Sequence, residues 1–225
     1  MDKSNISLVE GIITFQGEGP DTGKRMLLTR FKNCNKSCSW CDTKDKIANY
    51  DTQEYTIGHL QKLMQEHNAG LMITGGEPTM AGEQLRSTTL MLTKMFFPIA
   101  NVETNGFHLR ELMQMVDPIT TSKNIKYIYS PKIFSNIDYE NEIKNIELFC
   151  KNPRVYYKVV YDEENPYMEK LFSLLCNSQV SDRVFIMPKG ITRKELISNI
   201  PNVFKICRTY KFNFSSRSHI VFDFV

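Results

Sequence analysis

The chain alternates between short apolar segments of strand character and segments with helical spacing, and this alternation sharply narrows the range of possible folds. Strands are expected at 7–15, 26–31, 71–74, 99–103, 126–130, 155–161, 183–187 and 212–224. Helices are expected at 57–67, 80–96, 109–116, 139–150 and 166–177, with a further helix from Thr192. Such alternation is typical of βα units around a parallel sheet. Residues 26–187 supply about six strands, fewer than the eight of a closed TIM barrel. We therefore expect an α/β fold, a partial (open) TIM-like barrel of parallel strands with outer helices.

Local signals mark some of the helix ends. Asn165 and Pro166 have the residue types of an N-cap and a first helical position. Thr192 and Glu195 have the spacing of a capping box. Pro201 is expected to kink or divide the helix that follows, because proline lacks the backbone N–H that a helix interior uses.

Composition indicates a soluble globular protein and excludes disordered, collagen-like and coiled-coil chains, since 41% of residues are hydrophobic and 24% are charged. Because no linker-like segment divides the chain, we expect a single domain over 1–225, with the chemical motifs in 1–132 and the rest of the barrel and a C-terminal strand in 133–225.

The net charge of +3 is small for a nucleic-acid binder. No stretch has the length of an apolar membrane span, and residues 1–7 lack the apolar core of a secretory signal. We expect a cytoplasmic protein.

The most chemically distinctive segments follow the predicted strands. In chain order they are Asn33 to Asp45, Gly75-Gly76-Glu77-Pro78, Glu103-Thr104-Asn105-Gly106, Ser130-Pro131-Lys132 and Met187-Pro188. In parallel α/β folds, ligands bind beyond the carboxyl ends of the strands. These segments therefore predict one functional edge.

Three of the six cysteines, Cys34, Cys38 and Cys41, lie within eight residues. Their spacing allows the three thiols to converge from one loop, and thiolates suit zinc or iron–sulfur clusters. Structural zinc usually takes four ligands, and the nearest further candidate in sequence is His59. Three ligands on a four-iron cubane leave one iron open for chemistry. Zinc completed by a distant residue, or three ordinary cysteines, is the alternative interpretation, and Cys150, Cys176 and Cys207 are expected to be core thiols.

The Cys34-x3-Cys38-x2-Cys41 spacing, with the aromatic Trp40 before the last cysteine, resembles the signature of the radical S-adenosylmethionine (SAM) superfamily. Gly75-Gly76-Glu77-Pro78 resembles the segment with which that superfamily holds the amino group of SAM. Its position after a buried strand, about 35 residues beyond the cysteines, supports the match. The resemblance implies a radical SAM core, built on the partial barrel expected above.

A narrower resemblance, to the 7-carboxy-7-deazaguanine synthase family, rests on further segments in family order. They are Thr14-Phe15-Gln16-Gly17-Glu18-Gly19-Pro20, Arg30, Cys41-Asp42-Thr43, Ile73-Thr74 with the glycine segment, Glu103-Thr104-Asn105-Gly106 and Ser130-Pro131-Lys132. Beyond residue 132 the match depends mainly on Met187-Pro188 and Arg217-x-His219.

The resemblance implies conversion of 6-carboxy-5,6,7,8-tetrahydropterin to 7-carboxy-7-deazaguanine with loss of ammonia, on the route to queuosine and related 7-deazapurines. It implies a 4Fe-4S cluster, SAM used catalytically, and Mg²⁺. The reduced cluster cleaves SAM to a radical that takes hydrogen from the substrate and later returns it. Cofactors carry the chemistry, and the protein supplies orientation and exclusion of water.

The resemblance also assigns residues. Cys34, Cys38 and Cys41 would bind the cluster and Thr43 would bind Mg²⁺ through its hydroxyl, although a helix N-cap is the alternative for Thr43. No protein catalytic residue is expected beyond the cluster and SAM. The SAM contacts would be Trp40, Cys41, Asp42, Gly76, Glu77, Ser130, Pro131, Lys132, Met187 and Pro188. The substrate contacts would be Phe15, Gln16, Gly17, Arg30, Thr74, His219 and Val225.

Two substrate assignments also have a physical argument from the residues. Gln16 carries the paired donor and acceptor that suit a pyrimidine edge. Arg30 alternates with Leu28 along a strand, and a buried arginine needs an anionic partner, for which a substrate carboxylate is suitable. An ion pair to a buried glutamate such as Glu18 is the alternative for Arg30. A plain turn is the alternative for Gly17, and the core is the alternative for Phe15.

The family resemblance implies a small pterin substrate, a flavodoxin-type or other reductant, a homodimer, and no direct contact with nucleic acid or membrane. Two alternatives stay open. One is a glycyl-radical-enzyme activase of the same superfamily, and the other is a zinc or iron–sulfur module that is not an enzyme. The Phe15 to Gly19 segment and the Cys41-Asp42-Thr43 triplet disfavour the activase, while the glycine segment and Arg30 disfavour the non-enzyme.

Overall fold

A computed structural model of the chain describes residues 5–120 and 124–224, with the side chains of residues 45 and 46 outside that description. The chain divides into two compact units. The first holds the residues up to Gln16 together with Gly23–Tyr127, and the second holds Gly17–Thr22 and the chain from Ile128 onward. The expectation of a single domain over 1–225 stays a prediction.

The first unit alternates strands and helices as the sequence predicts. Its elements are β1 (Asn5–Leu8), β2 (Glu10–Phe15), β3 (Arg25–Phe31), α1 (Lys44–Asn49), β4 (Gln53–Thr56), α2 (Ile57–Glu66), β5 (Gly70–Gly75), α3 (Glu83–Lys94), β6 (Ala100–Thr104) and α4 (Leu109–Val116). The division falls within the next strand, β7 (Ile125–Tyr129).

The sheet of the first unit runs in the order β2-β3-β5-β6. β3 pairs in parallel with β5, and β5 pairs in parallel with β6, whereas β2 pairs antiparallel with β3. Six of the seven residues of β3 are buried, as expected for a strand covered on both faces. Met26, Leu28 and Met72 form a core cluster on one face of this sheet, with Ile99 packed against it.

The second unit continues the alternation. Its elements are a 3-10 turn (Gly19–Asp21), α5 (Asn136–Phe149), β8 (Val155–Tyr161), α6 (Met168–Asn177), a 3-10 turn (Ser181–Arg183), β9 (Val184–Pro188), α7 (Arg193–Tyr210), β10 (Asn213–Phe214) and α8 (Ser218–Phe222). β8 and β10 both pair in parallel with β9. Aromatic rings fill the core, with Tyr129 packed against Phe149 and Tyr157 at centroid distances of 5.8 Å.

Side-chain caps explain where several helices begin. The hydroxyl of Thr192 accepts from the backbone N–H of Glu195, and the Glu195 carboxylate accepts from the N–H of Thr192, which completes the predicted capping box of α7. The Ser135 hydroxyl caps α5 by accepting from the N–H of Asp138. Within the described residues, no helix combines the length and the apolar character needed to cross a bilayer.

Two predicted strands are wrong in part. Residues 7–15 are not one strand, because the chain changes partners at Val9: β1 pairs with β4, a strand that the sequence analysis did not identify, and β2 pairs with β3. The C-terminal strand predicted at 212–224 shortens to β10 and gives way to α8. Ile220 and Val221 donate their N–H groups back to the Arg217 carbonyl, a local helical pattern that replaces extended pairing.

Two helix predictions also change. The helix expected from Pro166 begins at Met168, because Asn165 caps a preceding turn: its side-chain oxygen accepts from the N–H of Tyr167. Pro201 does not divide α7, which continues through it.

Candidate functional site

Three polar loops of the first unit follow strands β3, β5 and β6. We call residues 32–43 the cysteine loop, residues 76–82 the GGEP loop and residues 105–108 the Asn-Gly loop. They follow neighbouring strands that are parallel to one another. The first unit therefore brings together the cysteines, the glycine segment and the end of β6, as the sequence predicts.

The cysteine loop places its three thiols close together. Cys34 is exposed, Cys38 is buried, Cys41 is half-buried, and none forms a disulfide. Although the Cys34 residue is exposed, partial burial of its thiol raises the pKa, and the charges of Glu77, Cys38 and Cys41 raise it further, whereas a hydrogen bond with the Lys36 backbone lowers it. Three crowded thiolates are unfavourable without a cation among them. The donor set fits an iron–sulfur cluster held by three cysteines.

Thr43 lies directly against this sulfur set. Its Oγ1 is 3.4 Å from the Sγ of Cys41, within hydrogen-bond reach for sulfur. Trp40 and Asp42, on either side of Cys41, are half-buried. A hard oxygen beside soft sulfur ligands is compatible with the predicted Mg²⁺ contact of Thr43, which stays a prediction.

The GGEP loop touches the cysteine loop through backbone atoms. The Glu77 N–H donates to the Asn33 carbonyl of the cysteine loop at 2.7 Å, and the Gly76 N–H donates to the Phe31 carbonyl at the end of β3 at 2.9 Å. A Cβ on Gly76 would lie 1.9 Å from the Asn33 oxygen, which leaves no room for any side chain. Gly75 has a φ of +110°, a region that favours glycine. The glycines thus permit contact with the chain's own backbone, a reason that sequence reasoning had not identified.

The Glu77 carboxylate is almost fully buried and faces protein donors. Its Oε1 accepts from the N–H and the hydroxyl of Thr79 and from the hydroxyl of Thr104, and its Oε2 accepts from the N–H of Asn105. Burial raises the pKa of Glu77, although these bonds from Thr104, Thr79 and Asn105 lower it. The side chain therefore ties the GGEP loop to the Asn-Gly loop. The predicted contact of Glu77 with SAM stays a prediction.

A row of polar side chains crosses the sheet of the first unit. Arg30 pairs in register with Glu10 on β2 and with Thr74 on β5. Arg30 is 5% exposed, and its Nε forms an ion pair with Glu10. An ion pair to a glutamate is therefore present, as the alternative interpretation expected, but the partner is Glu10 and not Glu18. The predicted contacts of Arg30 and Thr74 with substrate stay predictions.

The end of β2 places Phe15 and Gln16 differently. Gln16 is buried, and its Nε2 donates to the Glu103 carboxylate at 2.9 Å. Phe15 is 47% exposed, so the core interpretation of its side chain is wrong. Sequence reasoning proposed that Gln16 hydrogen-bonds to the pyrimidine edge of the substrate. It did not anticipate that the Gln16 amide nitrogen donates one hydrogen bond to Glu103.

The second unit holds the other predicted residues. A Cβ on Gly17 would lie 2.3 Å from the Nδ1 of the half-buried His219, and the Gly17 carbonyl accepts from the Ser218 N–H. Lys132 donates through Nζ to the Ser130 hydroxyl at 2.7 Å. The remaining predicted positions here are Pro131, Met187 and Pro188, all buried. Val225, the last predicted substrate contact, lies outside the described residues.

An ion cluster in the second unit was missed by sequence reasoning. Glu18 forms ion pairs with Lys158 and Arg217, both nearly buried. Burial alone would raise the pKa of Glu18, but the charges of Lys158, Arg217 and His219 outweigh it and hold that pKa well below its ordinary range. The signal in the sequence is Lys158, a single charge inside the apolar strand β8.

Comparison with known proteins agrees with this arrangement. The profile of a family described as a 4Fe-4S single cluster domain matches residues 16–147. The 7-carboxy-7-deazaguanine synthase of Haemophilus influenzae is 31% identical over 160 residues, covering 65% of this chain and 68% of the relative. The enzyme of the same name from Hyperthermus butylicus is 24% identical over 226 residues, covering 96% and 92%.

Solved structures agree at the level of fold. QueE from Escherichia coli superimposes with a TM-score of 0.59 at 19% identity, covering 96% of this chain and 95% of that chain. Streptococcus suis SuiB, solved bound to S-adenosylmethionine, has a TM-score of 0.62 at 13% identity, covering 85% of this chain and 49% of that chain. These similarities confirm the predicted fold class. The chain belongs to the 7-carboxy-7-deazaguanine synthase family, and its residues 16–147 belong to the 4Fe-4S single cluster domain family.

Proposed function

We propose that this chain is a radical SAM lyase that converts 6-carboxy-5,6,7,8-tetrahydropterin to 7-carboxy-7-deazaguanine with release of ammonia, in queuosine and 7-deazapurine biosynthesis. One observation carries the proposal beyond family membership: the loop with three cysteines, none of them in a disulfide, contacts the GGEP loop backbone to backbone, through Asn33, Gly76 and Glu77. When bound, the 4Fe-4S cluster and SAM supply the hydrogen-abstracting radical that starts the reaction.

The residues of the cysteine loop hold and shield the metal site. Cys34, Cys38 and Cys41 would hold three irons and leave the fourth open for SAM. Gly76, which lies at the contact between the two loops and has no room for a side chain there, would contact SAM through its backbone. Trp40 and Asp42, half-buried on either side of Cys41, would help to exclude water. The remaining SAM contacts that we propose are Glu77, Ser130, Pro131, Lys132, Met187 and Pro188.

The polar row on the sheet is the proposed substrate side. The ion pair with Glu10 uses the Nε of Arg30. A guanidinium has five N–H donors, so its terminal nitrogens suit a bidentate contact with the substrate carboxylate. Thr74 lies beside Arg30 in register, and Gln16 at the end of β2 is buried and fixed by its bond to Glu103. Phe15, Gly17, His219 and Val225 complete the proposed substrate contacts.

Product formation is the direct test. Protein reconstituted anaerobically with iron and sulfide, then given the carboxytetrahydropterin, SAM, Mg²⁺ and a low-potential reductant, is expected to form carboxydeazaguanine, detected by chromatography with mass spectrometry. Cys38→Ala should abolish product. Cys150→Ala is the matched control and should retain it, because this thiol lies outside the cysteine loop and donates to the Glu147 carbonyl.

The same assay separates the alternatives. SAM cleavage without the carboxydeazaguanine would contradict the proposed reaction and favour another radical SAM enzyme, such as a glycyl-radical-enzyme activase. Absence of both iron–sulfur absorption and SAM cleavage would favour a zinc module that is not an enzyme.

We infer that Mg²⁺ binds at Thr43, because its hydroxyl lies beside the Cys41 sulfur. Thr43→Ala is expected to lower the stimulation of product formation by Mg²⁺ several-fold, since a hard oxygen ligand is lost. Reductive cleavage of SAM should change little. Thr43→Ser, which keeps the hydroxyl, is the control. Equal Mg²⁺ dependence in the alanine variant and the parent would contradict the assignment.

We also infer a cytoplasmic homodimer that draws electrons from a flavodoxin-type or other reductant, with no direct contact to nucleic acid or membrane. Sedimentation equilibrium of the reconstituted protein tests the dimer, and a monomer at assay concentration would contradict it.

A further inference from the structure

We propose that Gln84 is a positioning residue that fixes the cysteine loop against the GGEP loop and thereby sets how the cluster meets SAM. This inference rests on the proposed function in one respect only, that these loops hold a cluster and SAM. Gln84 lies in the first turns of α3 and is 7% exposed. It belongs to neither of the motifs that it joins.

The carboxamide of Gln84 makes three hydrogen bonds to these two loops, one through its oxygen and two through its nitrogen. Its Oε1 accepts from the backbone N–H of Asn33 at 3.1 Å, and its Nε2 donates to the Asn33 carbonyl at 3.0 Å. The same Nε2 donates to the Glu77 carbonyl at 2.7 Å. One side chain thus holds both backbone groups of Asn33 and one of Glu77.

The hydrogen bonds from Gln84 affect the cluster site because of where Asn33 lies in the chain. Asn33 directly precedes Cys34, the first predicted cluster ligand, and its carbonyl also accepts the Glu77 N–H at 2.7 Å. A shift of the Asn33 peptide therefore moves the start of the cysteine loop relative to the GGEP loop. Gly76 abuts the same peptide, with no space for a Cβ. Errors of about 1 Å in a positioned group are costly in catalysis.

No other side chain of the same length reproduces the pattern, because it needs one acceptor and two donors from a single group. Glutamate keeps the size and the acceptor oxygen. Its second carboxylate oxygen would replace the Gln84 nitrogen and repel the carbonyl oxygens of Asn33 and Glu77. Methionine keeps the approximate size and loses all three bonds. The two variants therefore separate volume from hydrogen bonding.

Thr88 provides a matched control on the same helix. It is fully buried, and its hydroxyl donates to the Pro78 carbonyl of the GGEP loop at 2.9 Å. Thr88→Val removes a buried bond from α3 to the GGEP loop without touching Asn33. It reports the general effect of loosening that loop.

The test measures SAM affinity and the electron paramagnetic resonance (EPR) spectrum of the reduced, reconstituted protein. Gln84→Met and Gln84→Glu are expected to raise the Kd and KM for SAM roughly tenfold, the change produced by about 1.4 kcal/mol, with a smaller change in kcat. The EPR change on SAM addition should differ from that of the parent. Thr88→Val should lower the melting temperature about as much as the Gln84 variants do. Its Kd for SAM should nevertheless stay within about twofold of the parent value.

Specific outcomes overturn the inference. Parental SAM affinity and EPR spectra in both Gln84 variants would do so, as would an equal loss of affinity in Thr88→Val. If Gln84→Met does not fold, Gln84→Glu decides alone, because it keeps side-chain volume. The proposed reaction fails separately, since the Kd for SAM and the EPR spectrum are measured without the pterin, whereas only KM and kcat require it. A parent that binds SAM but forms no carboxydeazaguanine would refute the reaction and leave the Gln84 result standing.

Discussion

At the scale of single residues, the missing side chain of Gly76 determines how near two loops can approach. Sequence reasoning assigned the glycine pair to close contact with SAM. The structure shows a second reason, because the Asn33 carbonyl occupies the space that a Cβ on Gly76 would need. A glycine at this position therefore serves the protein's own packing, whatever it contributes to SAM.

Gly76→Ala is expected to destabilise the protein by about 1–3 kcal/mol, the usual cost of forcing an extra carbon into packed structure. Denaturant unfolding measures this change. Gly23→Ala is the comparison. A Cβ on Gly23 would meet nothing within 4 Å, so the only expected cost in stability is the backbone strain of an alanine at a φ of +86°. Iron content after reconstitution should fall in Gly76→Ala and not in Gly23→Ala. Parental stability and iron content in Gly76→Ala would refute the steric explanation.

At the scale of elements, local signals succeeded where neighbouring residues settle the structure. The capping box of α7 was predicted from Thr192 and Glu195, and both reciprocal bonds are present. The strand predicted at 212–224 was wrong because aromatic and β-branched composition does not specify a partner. Directly after β10, the N–H of Ser215 donates to the Ile186 carbonyl of β9. The chain then leaves the sheet and forms α8.

Thr192→Ala is expected to cost about 1 kcal/mol of stability, because the N–H of Glu195 loses its acceptor. Thr192→Ser should retain most of that stability, since it keeps the oxygen. Chemical denaturation of both variants measures the difference. If alanine and serine variants unfold at the same denaturant concentration, the cap does not contribute as proposed.

At the scale of the whole molecule, charges far apart in sequence meet in the buried cluster of Glu18, Lys158 and Arg217. Glu18 is 140 residues from Lys158 and 199 from Arg217. A buried ion pair is costly to break, because the remaining partner keeps its desolvation penalty without its counter-charge. This cluster therefore makes the stability of the fold depend on pH.

The cluster predicts loss of stability in acid. The pKa of Glu18 in the folded protein lies below its ordinary value of 4.5, so the folded state binds this proton less readily than the unfolded state. The contribution is fully present above about pH 4.5 and is lost as the pH falls toward the folded-state pKa. Urea unfolding from pH 7 to pH 3 should show this decline.

Glu18→Gln is the diagnostic variant. It should lower stability at pH 7 by about 3–5 kcal/mol and weaken the acid dependence. Glu66→Gln, at an exposed ion pair with Lys62, is the control and should change both quantities little. A Glu18→Gln variant with the parent's full acid dependence would show that other groups cause it.

The amino-acid sequence by itself determined the alternation of strands and helices, the cysteine and GGEP motifs and the α7 cap. Each depends on residue types at short, fixed spacings, which neighbouring residues decide. The tertiary structure alone decided which distant groups meet: Glu10 with Arg30, Gln84 with Asn33, and Glu18 with Lys158 and Arg217. The spacing of these residues along the chain does not indicate which of them pair, because strand order and register bring the partners together only after the chain has folded.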